Sequence, residues 1–284
     1  DSDAIYAYLM SLPAVSNAVQ VNHLDFPFNL RLSMLGWNEL YFDKGTYQPD
    51  PKQTAAWNRG AYLVEGLGHC SECHSPRNLL GGIEQKKAFT GADIDGWFAL
   101  NLTSNLKIGL GSWSVDDIAT YLKTGADKSK STSLGPMSEV VHNSLSFMTD
   151  DDLQAMAEYL KALPASSAMS PDHQPDKTLA AGATTYVDNC SACHQAQGSG
   201  IPGVFPALAG NGVVLAADAN DILKVVLFGI PVQDGYIAMP GFGDKLSDQQ
   251  IADLANYLRS SWGNGAAVNA TAAQVAALRK LPVE

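Results

Sequence analysis

Cys70-Ser71-Glu72-Cys73-His74 and Cys190-Ser191-Ala192-Cys193-His194 each place two thiols and an imidazole on one short stretch of chain. Thiols three positions apart can each form a thioether to one of the two vinyl groups of a single haem. The adjacent imidazole then reaches the iron from one side. All four cysteines lie in these two stretches, so none remains for a disulfide or a separate metal site. Two other chemistries use the same residues. A redox-active C-x-x-C pair needs a βαβ setting, and no alternation of strand and helix patterns surrounds either pair. A four-thiolate zinc site would employ both pairs but leaves the histidine after each without a role. The spacing therefore predicts two haem c groups: one on Cys70 and Cys73 with His74 on the iron, one on Cys190 and Cys193 with His194 on the iron.

An iron held by one histidine needs a sixth ligand or keeps an open face, and methionine there gives an electron-transfer site of raised potential. Most methionines are core filler, so position has to select among the seven. Met239 lies in a Pro-flanked loop shortly before the helix cap Ser247. Met137 lies in a Pro-flanked loop before the cap Thr149. Met148 competes with Met137, but it directly precedes Thr149 and stands five residues before Leu153, the spacing of a hydrophobic staple. Leu246 and Ile251 fill the same two places in the other half, and leucine cannot bind iron. Met137 and Met239 are thus the predicted axial ligands. The imidazole's other nitrogen commonly donates to a carbonyl. Ile201 to Pro206 follows His194 closely enough for Pro206 to serve, whereas the matching position after His74 is Lys86 and names no partner. His23, His69, His142 and His173 read as surface or structural, with His142 the reserve near a haem.

The elements that must position these groups are helical. Thr149 with Asp152, Ser247 with Gln250, and Ser114 with Asp117 read as helix starts, followed by apolar residues at helical spacing. The same order of elements occurs twice: a helix into the motif, a long loop, a short capped helix, a Met-bearing loop and a capped closing helix. In the second copy Asp218, Asp221, Ile222, Val226 and Gly229 stand for the short capped helix. The expected fold is all-α. The chain divides into 57–165 and 177–263 as the two haem domains, a Pro-rich linker at 166–176, a tail at 264–284 and a linker or docking segment at 16–56. Residues 1–15 match the closing helices in Ile5-Tyr6-Ala7-Tyr8-Leu9 and read as the end of a further, otherwise absent domain. Phe26 to Phe42 carries many large apolar side chains and is either a helix packed between repeats or a contact for another protein.

Composition bounds the rest. At 284 residues, 46% hydrophobic and 17% charged, the chain suits a globular protein of two or so domains. No run of about 18 apolar residues predicts a spanning helix. Its net charge of −11, before any haem propionates, argues against a nucleic-acid partner. Haem attachment takes place outside the cytoplasm, so an export signal is expected to have been removed or to lie outside this sequence.

Phe26-Pro27-Phe28-Asn29, Gly36-Trp37-Asn38 and the segments RGAYLVEGLGHCSECHSPRN (59–78), DGWFALNLT (95–103), GSWSVDDIATYLKTG (111–125) and GPMSEVV (135–141) resemble the cytochrome c subunit of bacterial membrane-bound dehydrogenases. These include quinoprotein alcohol, flavin gluconate, fructose and sorbitol, and molybdenum aldehyde dehydrogenases. The resemblance covers almost the whole chain. It implies tandem class I-type cytochrome c domains with His/Met haems, Met137 and Met239 being the matching methionines, and a third haem in the full-length family member. It also implies a catalytic dehydrogenase subunit of flavin, PQQ or molybdenum type as partner, ubiquinone as electron acceptor and a place on the periplasmic side of the inner membrane. Membrane association would be peripheral or through segments absent here. On this reading no substrate chemistry occurs on the chain. A free dihaem cytochrome feeding a terminal oxidase and a dihaem peroxidase are the alternatives.

Overall fold

A computed structural model of the chain describes all residues except 22, 128–129, 168–178, 233–235 and 282–284. His173 and most of the predicted linker lie outside the described residues. The chain divides into two compact units, Asp1–Thr46 and Tyr47–Glu284.

The first unit carries helix α1 (Ser2–Ser11) and helix α2 (Ser33–Tyr41), neither with a buried residue. Trp37 and Tyr41, one turn apart on α2, bring their rings to 5.2 Å. Phe26, Phe28, Leu32 and Leu35 are exposed. The predicted apolar patch is therefore a surface of this unit and not its core.

The second unit holds both repeats. In the first, Thr54 caps α3 (Ala55–Tyr62), which runs into a wider turn at Leu63–Leu67 and then the one-turn helix α4 (Ser71–His74). The long loop after it is not featureless. Strands β1 (Ala92–Ile94) and β2 (Trp97–Ala99) pair antiparallel, with Ile94 opposite Trp97. Asp95 and Gly96 join them, both at positive φ (49° and 75°). This is the two-residue turn that an Asp-Gly dipeptide favours because its twist matches the strands. Helix α5 (Val115–Thr124) opens with the predicted reciprocal Ser114/Asp117 box and closes at Gly125 in the left-handed region. Met137, expected in a loop, instead sits in the first turn of α6 (Pro136–Asn143), which Pro136 starts. Helix α7 (Asp150–Ala162) is capped by Thr149.

The second repeat follows the same order. Helix α8 (Ala180–Asn189) leads into the one-turn α9 (Ser191–His194). Then come α10 (Gly212–Leu215) and α11 (Asn220–Phe228). A two-residue ribbon pairs β3 (Gly229–Ile230) with β4 (Met239–Pro240). Helix α12 (Asp248–Ser260) carries the full Ser247/Gln250 box. The stretch after Gly263 is part of this core: α13 (Ala272–Leu278), boxed by Thr271 and Gln274, buries Val275 and Leu278 in it.

Each repeat has its own core. Val64, Ile118, Val141, Leu153 and Met156 form the first, and Tyr186, Leu223, Ile251, Leu254 and Val275 the second. Each fully buried aliphatic contributes about 1.5–3 kcal/mol. Both cores rest on one helix crossing, α3 on α7 and α8 on α12. Glycine permits the approach. A Cβ at Gly60 would lie 1.9 Å from the Ala155 carbonyl oxygen, and one at Gly182 would lie 2.1 Å from that of Asp253. Trp57 packs on Tyr159 at 5.0 Å and Tyr186 on Tyr257 at 5.7 Å beside these crossings.

One capping expectation holds only in part: Asp218 accepts the Asn220 N–H at 2.5 Å, but no reciprocal box forms. The N-cap of α11 is Ala219, with no side-chain cap. Asp221, read as the capping-box residue, turns away from its own helix and accepts the Phe98 N–H of strand β2 at 3.0 and 3.2 Å. A cap would serve only α11, whereas this bond joins two repeats.

Candidate haem sites

The first motif begins where α3 unwinds. The Cys70 N–H donates to the Val64 carbonyl (3.0 Å) and the His74 N–H to the Cys70 carbonyl (3.1 Å), which winds Cys70, Cys73 and His74 onto one turn. In the second motif Cys190 donates to the Tyr186 carbonyl (2.8 Å) and His194 to the Cys190 carbonyl (2.9 Å). All four thiols are free. Cys70 and Cys190 are half-buried against the first and second cores respectively, while Cys73 and Cys193 are exposed. The two pairs thus belong to different cores and do not converge on one four-thiolate site. Among the described residues no group of three or more His, Cys, Asp or Glu side chains gathers to hold a metal ion. Burial pushes the Cys70 and Cys190 thiols up to about 11. A reactive dithiol needs the opposite shift, because the thiolate is the nucleophile.

Each imidazole is fixed by a backbone carbonyl. His194 Nδ1 donates to the Pro206 oxygen at 2.9 Å, the partner expected from sequence. His74 Nδ1 donates to the Leu100 oxygen at 2.7 Å. Burial holds both rings below the ordinary histidine pKa, and these hydrogen bonds oppose that only in part. With Nδ1 carrying the proton, the neutral ring presents its Nε2 lone pair, the form that binds iron. A glycine N–H closes each turn from behind: Gly91 on the His74 carbonyl (2.9 Å) and Gly200 on the His194 carbonyl (3.1 Å). The donor set of each motif, two unshared thiols and one oriented neutral imidazole against an apolar core, fits a covalent haem.

The candidate methionines differ in setting. Met137 is half-buried against the first core at the start of α6. Met239 is half-buried on β4. Met148 packs on the same core as its staple partner Leu153, and Leu246 and Ile251 are buried at the corresponding places. His142 is bonded within α6, its Nδ1 lying 2.7 Å from the Ser138 carbonyl. His23 and His69 are exposed. Leu100 and Asp221 were missed from sequence. The Leu100 carbonyl is positioned by the β1–β2 hairpin, and Asp95-Gly96 was the readable signal for that hairpin. Nothing in the sequence around Asp221 points to Phe98.

The fold and the two motifs define a c-type cytochrome. A family model described as cytochrome c matches residues 179–262, the second repeat. The chain is 37% identical to the cytochrome c subunit of gluconate 2-dehydrogenase from Pantoea cypripedii, over 99% of this chain and 69% of that one. It is 35% identical to the fructose dehydrogenase cytochrome subunit of Gluconobacter japonicus, over 94% of this chain and 62% of the relative. It is 42% identical to one of the subunits of nicotinate dehydrogenase from Pseudomonas putida, over 91% of this chain but 22% of that longer protein. The chain belongs to the family of cytochrome c subunits of bacterial dehydrogenases, and it spans between a fifth and about two thirds of the length of these relatives. Covalently bound haem c goes with that membership. No helix among the described residues is long and apolar enough to cross a membrane.

Proposed function

We propose that this chain is an electron relay of a membrane-associated periplasmic dehydrogenase. It would carry electrons from a catalytic subunit of flavin, PQQ or molybdenum type, through two haem c groups, to ubiquinone. The observation that carries the reading is the repeated turn in which an imidazole, tied at Nδ1 to a carbonyl, stands beside two unshared thiols. Each haem, when bound, supplies a one-electron ferric/ferrous couple. Cys70, Cys73, Cys190 and Cys193 anchor the macrocycles. His74 and His194, each tied at Nδ1, would offer one nitrogen to the iron, and Met137 and Met239 would supply the thioether ligands. The apolar cores against which Cys70 and Cys190 pack would limit water at the bound groups. With His and Met both bound, neither iron would have room for substrate, and the chain's own residues would then perform no substrate chemistry. The haem domains would be 57–165 and 177–263, and the packing of Val275 and Leu278 on the second core supports adding α13 to the latter. The exposed apolar residues of 26–42 support a docking role for that segment, and the relatives named as dehydrogenase subunits support the kind of partner.

The isolated chain should oxidise no alcohol, sugar, sugar acid or aldehyde. Mixed with its catalytic subunit and substrate, both haems should become ferrous, and a quinone analogue should reoxidise them. Peroxidase turnover by the chain alone, or haems that stay ferric in the working complex, would contradict the relay.

A further inference from the structure

Strand β2 of the first repeat and the residue that follows it are held from the second repeat at three positions. The Lys224 ammonium sits 4.2 Å from the centre of the Trp97 ring, a cation–π contact. The Asp221 carboxylate accepts the Phe98 N–H through both oxygens, at 3.0 and 3.2 Å. Leu100 packs against the second core, close enough that a Cβ on Gly212 would lie 2.8 Å from its Cδ1. Asp221 and Lys224 are both buried, one turn apart on α11. The Leu100 carbonyl, two residues beyond Phe98, is the acceptor of His74 Nδ1. On the other side of the strand, Gly91, whose N–H holds the His74 carbonyl, lies so close that a Cβ there would meet the Phe98 ring at 2.9 Å. His194 has no such arrangement. Its acceptor Pro206 follows the Ile201–Phe205 bridge of its own repeat.

We infer that Asp221 is a positioning residue for His74: from the second repeat it fixes the strand whose carbonyl orients the first iron's imidazole, so that docking of the second repeat sets the ligand strength at the first iron. A firm Nδ1–H···O=C bond makes an imidazole a stronger donor and favours the ferric state. Freeing the strand weakens that bond and favours the ferrous state. The inference rests on the proposed haem at His74 and goes beyond it, because Asp221 bonds the Phe98 N–H and acts on His74 only through the strand.

The test is a potentiometric titration of the full chain carrying both haems, comparing wild type with Asp221→Ala and Asp221→Asn. The two waves are assigned with Met137→Leu and Met239→Leu, each of which lowers one of them. A haem count below two, or Met variants that move neither wave, would count against the proposed function and not against this inference. Asp221→Ala should raise the first haem's potential and leave the second's in place, although Asp221 belongs to the second repeat. Asp221→Asn keeps an oxygen for the Phe98 N–H and should stay close to wild type. A shift confined to the second haem, or no shift at either, overturns the inference, since a merely structural aspartate would disturb its own repeat first. Should Asp221→Ala not fold, Lys224→Gln releases Trp97 and should raise the first potential by a smaller amount; an unmoved first wave there overturns it equally.

Discussion

In the second repeat the carbonyl that holds the imidazole lies 12 residues after His194, whereas in the first it lies 26 residues after His74. The repeats agree where helices cross: glycine at the contact, an aromatic pair beside it, a capped closing helix. They part in the loop between histidine and carbonyl. The short loop is completed within its own repeat. The long one forms a hairpin and is finished by contacts from the neighbour. A second difference lies on the closing helices, where Tyr159-Leu160-Lys161 matches Tyr257-Leu258-Arg259. Lys161 donates to the Leu110 and Gly111 carbonyls at 3.2 and 2.8 Å. The fully buried Arg259 donates to the Val214, Ala216, Ala217, Asp218 and Ala267 carbonyls. Burial holds its guanidinium down at about 10, still charged at neutral pH. A planar fork can satisfy several carbonyls that one ammonium cannot, so the second core fastens α10 and the stretch after α12 in a way the first does not.

Four changes would sharpen or break this comparison. The largest effect is expected at the axial methionines. Met137→Leu should abolish the ferric Met–sulfur charge-transfer band of one haem and lower its potential, Met239→Leu should do so for the other, and Met148→Leu should leave both bands, because leucine serves equally as a staple. The reverse pattern for Met137 and Met148 in optical spectra would exchange their roles. Next is Arg259→Ala, which takes the donor from five backbone carbonyls and should cost about 3–5 kcal/mol, a buried acceptor left unsatisfied being worth about 1–3 kcal/mol, against about 1 kcal/mol for Lys161→Ala. Equal losses in denaturant titrations would remove the proposed asymmetry. Gly60→Ala and Gly182→Ala each force a methyl into a carbonyl oxygen and should cost about 3 kcal/mol apiece. Here the repeats should behave alike, and a tolerated substitution at one crossing would show that the two are not equivalent.

The smallest effect is a pH slope. Burial raises the Asp221 carboxyl to about 6, opposed by the Phe98 N–H and by Lys224 and reinforced by Asp218 and Asp93. The folded chain then binds more protons at this site than the unfolded one between about pH 4 and 6, so stability contributed here falls as pH rises through that window. The loss is on the order of 2–3 kcal/mol, a tenfold change in proton affinity being worth about 1.4 kcal/mol. Asp221→Asn should flatten this component relative to wild type, and an unchanged difference across pH 4–6 in thermal melts would contradict the assignment.

What was legible in the sequence follows a physical divide. Helices α5, α7 and α12 announce themselves through caps and apolar spacing, because those signals act within a few residues. Both motifs and the Pro206 acceptor were readable for the same reason. The hairpin at 92–99 has a local signal in Asp95-Gly96, set inside what otherwise reads as a long loop. Pro136 marked the start of α6, although the segment reads as a loop. Asp221 could not be read. A carboxylate three residues after a candidate cap looks like a capping residue whether it bonds its own backbone or a strand 123 residues away. Only tertiary contact distinguishes the two.

The central claim is that two repeated turns each hold one covalent haem. Mass spectrometry of the acid-denatured chain, after extraction of any free haem, addresses it directly. The account predicts two haem additions, with peptides carrying them at Cys70/Cys73 and Cys190/Cys193. A chain bearing one haem or none would contradict it.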